Sequence, residues 1–396
     1  MEGINKNIVA LGANSFFTDF ATEMILPLLP LFLERFLHAS KSDIGLIEGT
    51  AEFGVALLIA LSGFLSDKLG HRKMLIVVGY GFSNFMKPMA YFASSALMVG
   101  IVRVGDRFGK GVRAAPRDAL ISAFSTASQS GFIFGFHKMM DSAGAIGGSL
   151  CAFLLLRWYG ESEATFRFIF ALSFLPGLLA VLVLLFFVAD VKTAPIPFRS
   201  FNPFLLSKAF YTLVLFQTLF SLLAMNYSFM ILKAGDNGVA LVMIPLAYTF
   251  YNFTQSLFAI PIGKMADRFG KPLMLSTMYG IFGFSVWAMT WHNPVGAWVA
   301  FGCYGFFVGG FNALAKAIIS DTTPKTLKAS AYGIYYGCVG TATFASLAMA
   351  GYVWDHLGAQ TLFFVVTLGA FVLALMLFFA RNRFAVPQTN ELKDDI

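Results

Sequence analysis

Apolar stretches of bilayer length follow one another along the whole chain, separated by short polar, glycine- or proline-marked breaks. They lie near residues 8–37, 43–65, 73–93, 95–123, 131–158, 166–190, 207–232, 239–262, 273–291, 295–320, 330–356 and 359–381. A helix needs about 20 apolar residues to cross the hydrocarbon, so the pattern predicts an all-α polytopic membrane protein with twelve transmembrane helices. Several stretches exceed that length and must tilt or project. Charged positions interrupt them. The acids are Asp19, Glu23, Glu48, Glu52, Asp106, Asp118 and Asp141; the bases are Lys87, Arg103, Arg107, Lys110, Arg113, Arg117, Lys138 and Lys316. A charge at the bilayer centre costs roughly 2.5–3.5 kcal/mol, so these groups must be paired, hydrated or used. All but Lys316 lie in the first half.

Composition agrees with this class. Of 396 residues 58% are apolar and 12% charged, against about 25% charged in soluble domains. The start of the chain shows one base and no small-residue cleavage site, so the first span is expected to stay in the mature protein. Cys151, Cys303 and Cys338 are scattered among the spans, without disulfide or metal-ligand spacing.

The net charge of +7 raises nucleic acid as a partner, but the distribution of bases answers it. With both termini cytoplasmic, fifteen bases outside the spans fall on the inner side and five on the outer. That is the positive-inside pattern; no nucleic acid is expected, and the site of action is a cell (inner) membrane.

The segment linking the sixth and seventh stretches carries Pro195, Pro197 and Pro203. It divides the chain into a six-helix bundle over 1–192, a linker over 193–206, a second bundle over 207–381 and a tail over 382–396. An internal repeat supports the division. Gly63, Asp67, Lys68 and Gly70 recur as Gly263, Asp267, Arg268 and Gly270, at a constant offset of 200 residues. Parallel six-span repeats are a transporter plan.

The repeated loop, continuing through Arg72 and Lys73, resembles the cytoplasmic signature of the major facilitator superfamily, G-x-x-x-D-R-x-G-R-R/K. The resemblance implies the fold of that family, two pseudo-symmetric six-helix bundles working by alternating access. It also implies a gating role for Gly63, Asp67, Arg72, Lys73, Asp118, Asp267 and Arg268. The fourth stretch, Arg103 to Gly111, is similar to a second family motif, with Asp106, Arg107 and Lys110 as extra charges. The run from Val112 to Leu120 resembles a bacterial subgroup of mostly unassigned substrate. In the fifth stretch Gly135, Gly144 and Gly148 match the spacing of an exporter motif, while Ser149 and Ala152 depart from it. Close helix packing explains such small residues equally well.

Helical geometry sorts the charges. At 100° per residue Arg103, Arg107, Lys110 and Arg117 share one side of the fourth helix, with Asp106 beside them. Such a face is either an internal ion-pair network or an electropositive lining, with Arg103 and Arg107 as substrate-binding clamps on a carboxylate or phosphate. Ser15, Asp19 and Glu23 recur four residues apart on the first helix. Two close carboxylates in a low dielectric do not both ionise cheaply, so such a pair is suited to carry a proton. Asp19, Glu23 and Asp141 are therefore the expected proton-coupling residues, unless salt bridges keep them ionised. The second half contributes Tyr248, Asn252, Asn312 and Lys316 as further substrate-binding candidates, with Gln217, Asn226, Tyr251, Gln255 and Tyr335 as polar or aromatic walls.

No enzyme motif is present: Gly105–Lys110 misses a phosphate loop by one residue, and Gly111 replaces its Ser or Thr. No cofactor or metal is expected. The reading is a monomeric, proton-coupled secondary transporter of a small organic anion or amphipathic metabolite, carboxylate- or siderophore-like. A multidrug/proton antiporter and a membrane-embedded receptor or sensor are the alternatives.

Overall fold

A computed structural model describes residues 5–69, 72–125, 130–191, 206–223, 225–323 and 327–384. Among these the secondary structure is helical, without strands. The first half holds α1 (Lys6–Ile25), α2 (Leu29–Arg35), α3 (Lys41–Leu69), α4 (Arg72–Met86), α5 (Ala96–Ala123), α6 (Ser130–Tyr159), α7 (Glu163–Leu172) and α8 (Phe174–Phe187). The second holds α9 (Lys208–Ser221), α10 (Tyr227–Asp236), α11 (Ile244–Phe269), α12 (Lys271–Ala288), α13 (Pro294–Thr322) and α14 (Lys328–Ala380). Most of the expected linker, 193–206, and the tail beyond Phe384 lie outside the described residues.

The expected stretches are helical, but not all are continuous. The first breaks between α1 and α2, where Pro27 and Pro30 interrupt the backbone ladder. The seventh, expected as one helix over 207–232, breaks between α9 and α10. Asn226 begins α10 by accepting a bond from the Ser228 N–H at 3.1 Å. The last two stretches run together as α14, bent at Gly358, whose φ of 84° suits a residue without a Cβ. By length and composition alone six described helical stretches could cross a membrane, among them Lys6–Arg35, Glu163–Phe187 and Pro294–Thr322.

Burial is inverted relative to a protein dissolved in water. Arg103 and Glu48 are each 2% exposed, while Phe186 and Phe379 are 76% and 77% exposed. Apolar residues face outward and charges face inward, as hydrocarbon solvent demands.

Within the first half α1 packs on α6 and α8, and α5 on α3 and α4; within the second, α13 packs on α11 and α12. The α1–α6 seam is tight because Gly144 and Gly148 carry no Cβ. One placed there would lie 2.2 Å from the carbonyl oxygens of Phe16 and Phe20. The glycines of the exporter-like spacing thus have a packing role, although a Cβ at Gly135 would meet nothing within 4 Å. The halves meet along α3–α14 and α6–α11.

Several bonds join the halves at the end opposite the start of α1 and the end of α14. Asp355 accepts from the Ser42 N–H at 2.8 Å and the Ser42 hydroxyl at 2.6 Å. Glu161 accepts from the Val242 N–H at 2.8 Å. Nearer mid-height, Thr249 donates to the Ser149 hydroxyl at 2.8 Å.

Candidate functional site

Between the halves lies a cavity of about 220 Å³ with a mainly polar lining. The charged side chains on its wall come from α1, α5 and α6: Asp19 and Glu23, then Asp106, Arg107, Lys110 and Arg113, then Lys138 and Asp141. The facing wall is neutral, made by Tyr227 at the start of α10 and by Tyr248, Tyr251, Asn252, Gln255 and Ser256 on α11. Helical spacing produces both faces. Asp19 and Glu23 are four residues apart, as are Tyr248 and Asn252, so each pair shares one side of its helix.

The expected basic stripe of α5 divides on inspection. Arg107 and Lys110 reach the cavity. Arg103, expected beside Arg107 as a clamp, turns away: its Nε and Nη2 donate to Glu48 at 3.1 and 2.8 Å, and Nη2 also donates to the Tyr227 hydroxyl at 2.5 Å. Asn226 adds a bond to Glu48 Oε2 at 3.1 Å. This buried node ties α3 and α5 to the break before α10, and of its members Tyr227 lines the cavity. Arg117 does not line the cavity; it pairs with Asp118 at 3.0 Å and lies close enough to Asp141 to act on its charge.

The remaining charges differ in how fully they are matched. Arg107 pairs with Glu52 at 3.0 Å. Asp106 accepts from Ser83 and lies 3.5 Å from the buried ammonium of Lys87. Asp141 accepts from Ser15 and lies 3.7 Å from Lys138. The Arg113 guanidinium stacks 4.3 Å above the Tyr80 ring. Among the described residues, no ion pair within 4.0 Å engages Asp19, Glu23 or Lys110. The Tyr248 hydroxyl and the Asn252 amide flank the Glu23 carboxylate, yet Glu23 Oε2 and Asn252 Nδ2 meet no partner at full hydrogen-bond geometry.

In the second half Tyr227, Tyr248, Tyr251 and Tyr304 form a chain of ring contacts with centroids 5.1 to 5.4 Å apart. Asn312 and Lys316, expected to bind substrate, are exposed on α13 and do not line the cavity.

Of the expected gating residues, Arg72 donates from Nη1 to the Ala119 carbonyl at 3.1 Å. Lys73 donates from Nζ to the Leu185 carbonyl at 2.8 Å and from its N–H to Asp190 at 3.1 Å. These bonds fasten the start of α4 to the ends of α5 and α8, within the first half. Asp267 and Arg268 are exposed. The surroundings of Gly63 and the side chain of Asp67 lie outside what the structure describes. Tyr227, Ser42 and Asp355 were not singled out from sequence. An Asn before an apolar run is a helix-start signal that could have drawn attention to the break at Asn226 and hence to Tyr227.

A second, larger cavity of about 920 Å³ is bordered by Phe250, Phe258, Phe284 and Trp298 on the outer side of α11–α13. It lacks charged lining groups and shares no residue with the central site.

Comparison with known proteins agrees with the geometry. Residues 11–239 and 213–394 each match the model of the Major Facilitator Superfamily. The chain is 32% identical over 389 residues, 95% of either chain, to an uncharacterized MFS-type transporter, MJ1317, of Methanocaldococcus jannaschii. It is 28% identical over 248 residues to the quinolone resistance protein NorA of Staphylococcus aureus, covering 57% of this chain and 61% of that one. Its fold superposes on the crystal structure of the nucleoside transporter NupG with a TM-score of 0.77 at 16% identity, covering 96% of this chain and 100% of the other.

Proposed function

The chain belongs to the Major Facilitator Superfamily, and from that premise we propose that it is a proton-coupled secondary transporter of a small organic solute bearing an anionic group. It works as a monomer by alternating access, in a cell (inner) membrane with both termini cytoplasmic. The observation that carries this reading is the central cavity, bonded shut between the halves at the end opposite the termini and lined by charges without an ion pair among the described residues. A solute entering from the side of the termini meets Lys110 and Arg107 on one wall and the tyrosines and Asn252 on the other. Release follows when the bonds at Ser42, Val242 and Tyr227 open and the opposite end closes.

Asp19 is the proposed proton carrier. Glu23 on its own helix, Lys110 on α5, and Lys138 and Asp141 on α6 share its cavity, so gain or loss of one proton changes how well this array is balanced. Asp141, held by Ser15 and Lys138, serves as its neighbour in the relay. The gating loop keeps its proposed role through Arg72 and Lys73.

The partial likeness to NorA favours a second reading, a drug/proton antiporter. Two features weigh against it. The lining is polar, and about 220 Å³ is less than the roughly 300–1,000 Å³ usual for drug-sized ligands. Siderophores meet the same size objection.

Proteoliposomes test the proposal. Internal pH is recorded while panels of carboxylate-bearing solutes, plain anions and amino-carboxylates alike, and of cationic drugs are added. Proton movement driven by a carboxylate-bearing solute that Asp19→Asn abolishes, with counterflow retained, is the expected result. No carboxylate-bearing solute moving protons, or Asp19→Asn matching wild type in driven uptake, overturns it.

A further inference from the structure

Resting on the transporter reading, we propose that the solute is a small amino-carboxylate zwitterion, its carboxylate received by Lys110 and Arg107 and its ammonium by Glu23. The charges facing the cavity balance. Asp19, Glu23, Asp106 and Asp141 stand against Arg107, Lys110, Arg113 and Lys138. A site for a plain anion would carry an excess of bases; this one does not.

Local pairing then removes most of these groups from contention. Asp106 is held by Ser83 and Lys87, Asp141 by Ser15 and Lys138, and Arg113 lies over Tyr80. Asp19 is assigned to the proton. Two charges of opposite sign, Glu23 and Lys110, remain with neither an ion pair nor a ring partner among the described residues, and Arg107, paired with Glu52, keeps its Nε free. Buried atoms of the lining residues are also unmet: the Oε2 acceptor of Glu23, and three donors, Asn252 Nδ2, Arg107 Nε and Arg113 Nη1.

An unmet buried polar atom is costly, and a ligand that completes it is favoured over one that does not. A simple anion completes Lys110 and the free Nε of Arg107 and leaves Glu23 without a cation. A simple cation does the opposite. One molecule with an ammonium and a carboxylate completes both. Tyr248 and Asn252, across the interface, frame Glu23 and orient the ammonium arm. Size agrees: about 220 Å³ is the space of on the order of seven waters at roughly 30 Å³ each.

The test uses the purified full-length chain and a panel of probes. These are the α-amino acids and the unbranched series from β-alanine to 6-aminohexanoate, each matched with its anionic N-acetyl derivative and its cationic methyl ester. Binding is read by thermal shift and by tryptophan-fluorescence titration. At least one zwitterion is expected to bind about tenfold or more tighter than both of its derivatives. Glu23→Gln is expected to erase the discrimination against the N-acetyl form and keep that against the ester; Lys110→Gln does the reverse. Glu23→Asp, which keeps the charge, keeps the discrimination. N-acetyl forms or esters binding as tightly as the zwitterions, or no zwitterion binding, overturns the inference. Counterflow separates it from the reading beneath it. A zwitterion that binds and is never moved ends the transporter reading alone, whereas an anion moved equally by wild type and Glu23→Gln ends this inference alone.

Discussion

The carboxylate of Asp355 caps the first turn of a helix in the other half of the molecule, accepting from both the N–H and the hydroxyl of Ser42. The same carboxylate accepts from the Lys41 N–H at 3.1 Å. Unbonded N–H groups at a helix start favour an anion, and here the anion arrives from more than 300 residues away along the chain. The cap therefore exists only while this end of the molecule is closed. Asp355→Ala removes a cap worth about 1 kcal/mol and shifts the population toward opening at that end by about fivefold. Labelling of a cysteine introduced near Ser42 reads the shift; unchanged labelling refutes it.

Arg103 and Glu48 form a buried pair that also grips Tyr227 and Asn226. Removing one partner strands a charge, at a cost of about 3–5 kcal/mol. Glu48→Leu and Arg103→Met are each expected to lower the unfolding midpoint in detergent markedly. The double variant Glu48→Leu/Arg103→Met costs less than their sum, because no buried charge is left over. Additive losses would remove the node as a coupled unit.

Arg103 and Arg107, four residues apart, are expected to behave differently. Arg107 reaches the cavity and Arg103 does not. Arg107→Gln should weaken solute binding by roughly tenfold, about 1.4 kcal/mol, with a modest effect on stability. Arg103→Gln should chiefly affect stability. Titration and thermal unfolding of both variants decide this; equal losses of affinity would place the two side chains in one role.

The α1–α6 seam offers a test of packing alone. Gly148→Val introduces a Cβ where the Phe20 carbonyl oxygen would be 2.2 Å away. Overpacking of this kind costs about 1–3 kcal/mol and would also displace Asp19 from Asp141. At Gly135, where a Cβ meets nothing, Ala should be tolerated. Thermal unfolding of the pair gives the contrast, and similar midpoints would contradict the seam.

Much of the fold was legible in the sequence because its signals are local. Apolar length, the repeat at Gly63 and Gly263, and the helical spacing of Asp19 with Glu23 require no knowledge of the partner helix. The fate of Arg103 does. Its sequence position is as suited to the cavity as that of Arg107, and only the approach of Glu48, Tyr227 and Asn226 draws it away. Asp355 was illegible for the same reason, since its partner is fixed by how the halves dock. Asn312 and Lys316 were chosen for polarity within an apolar stretch; the turn of α13 leaves both off the cavity wall.

The division of the cavity into a charged wall and a neutral wall also has an electrical meaning. The charged lining groups and most of their counterions belong to one half, while the other offers phenols, amides and a hydroxyl. Rocking the neutral half past the charged one separates few opposite charges and carries few ions through the field. The empty carrier should therefore give little capacitive current on a voltage step, leaving the current of the cycle to the solute and its proton.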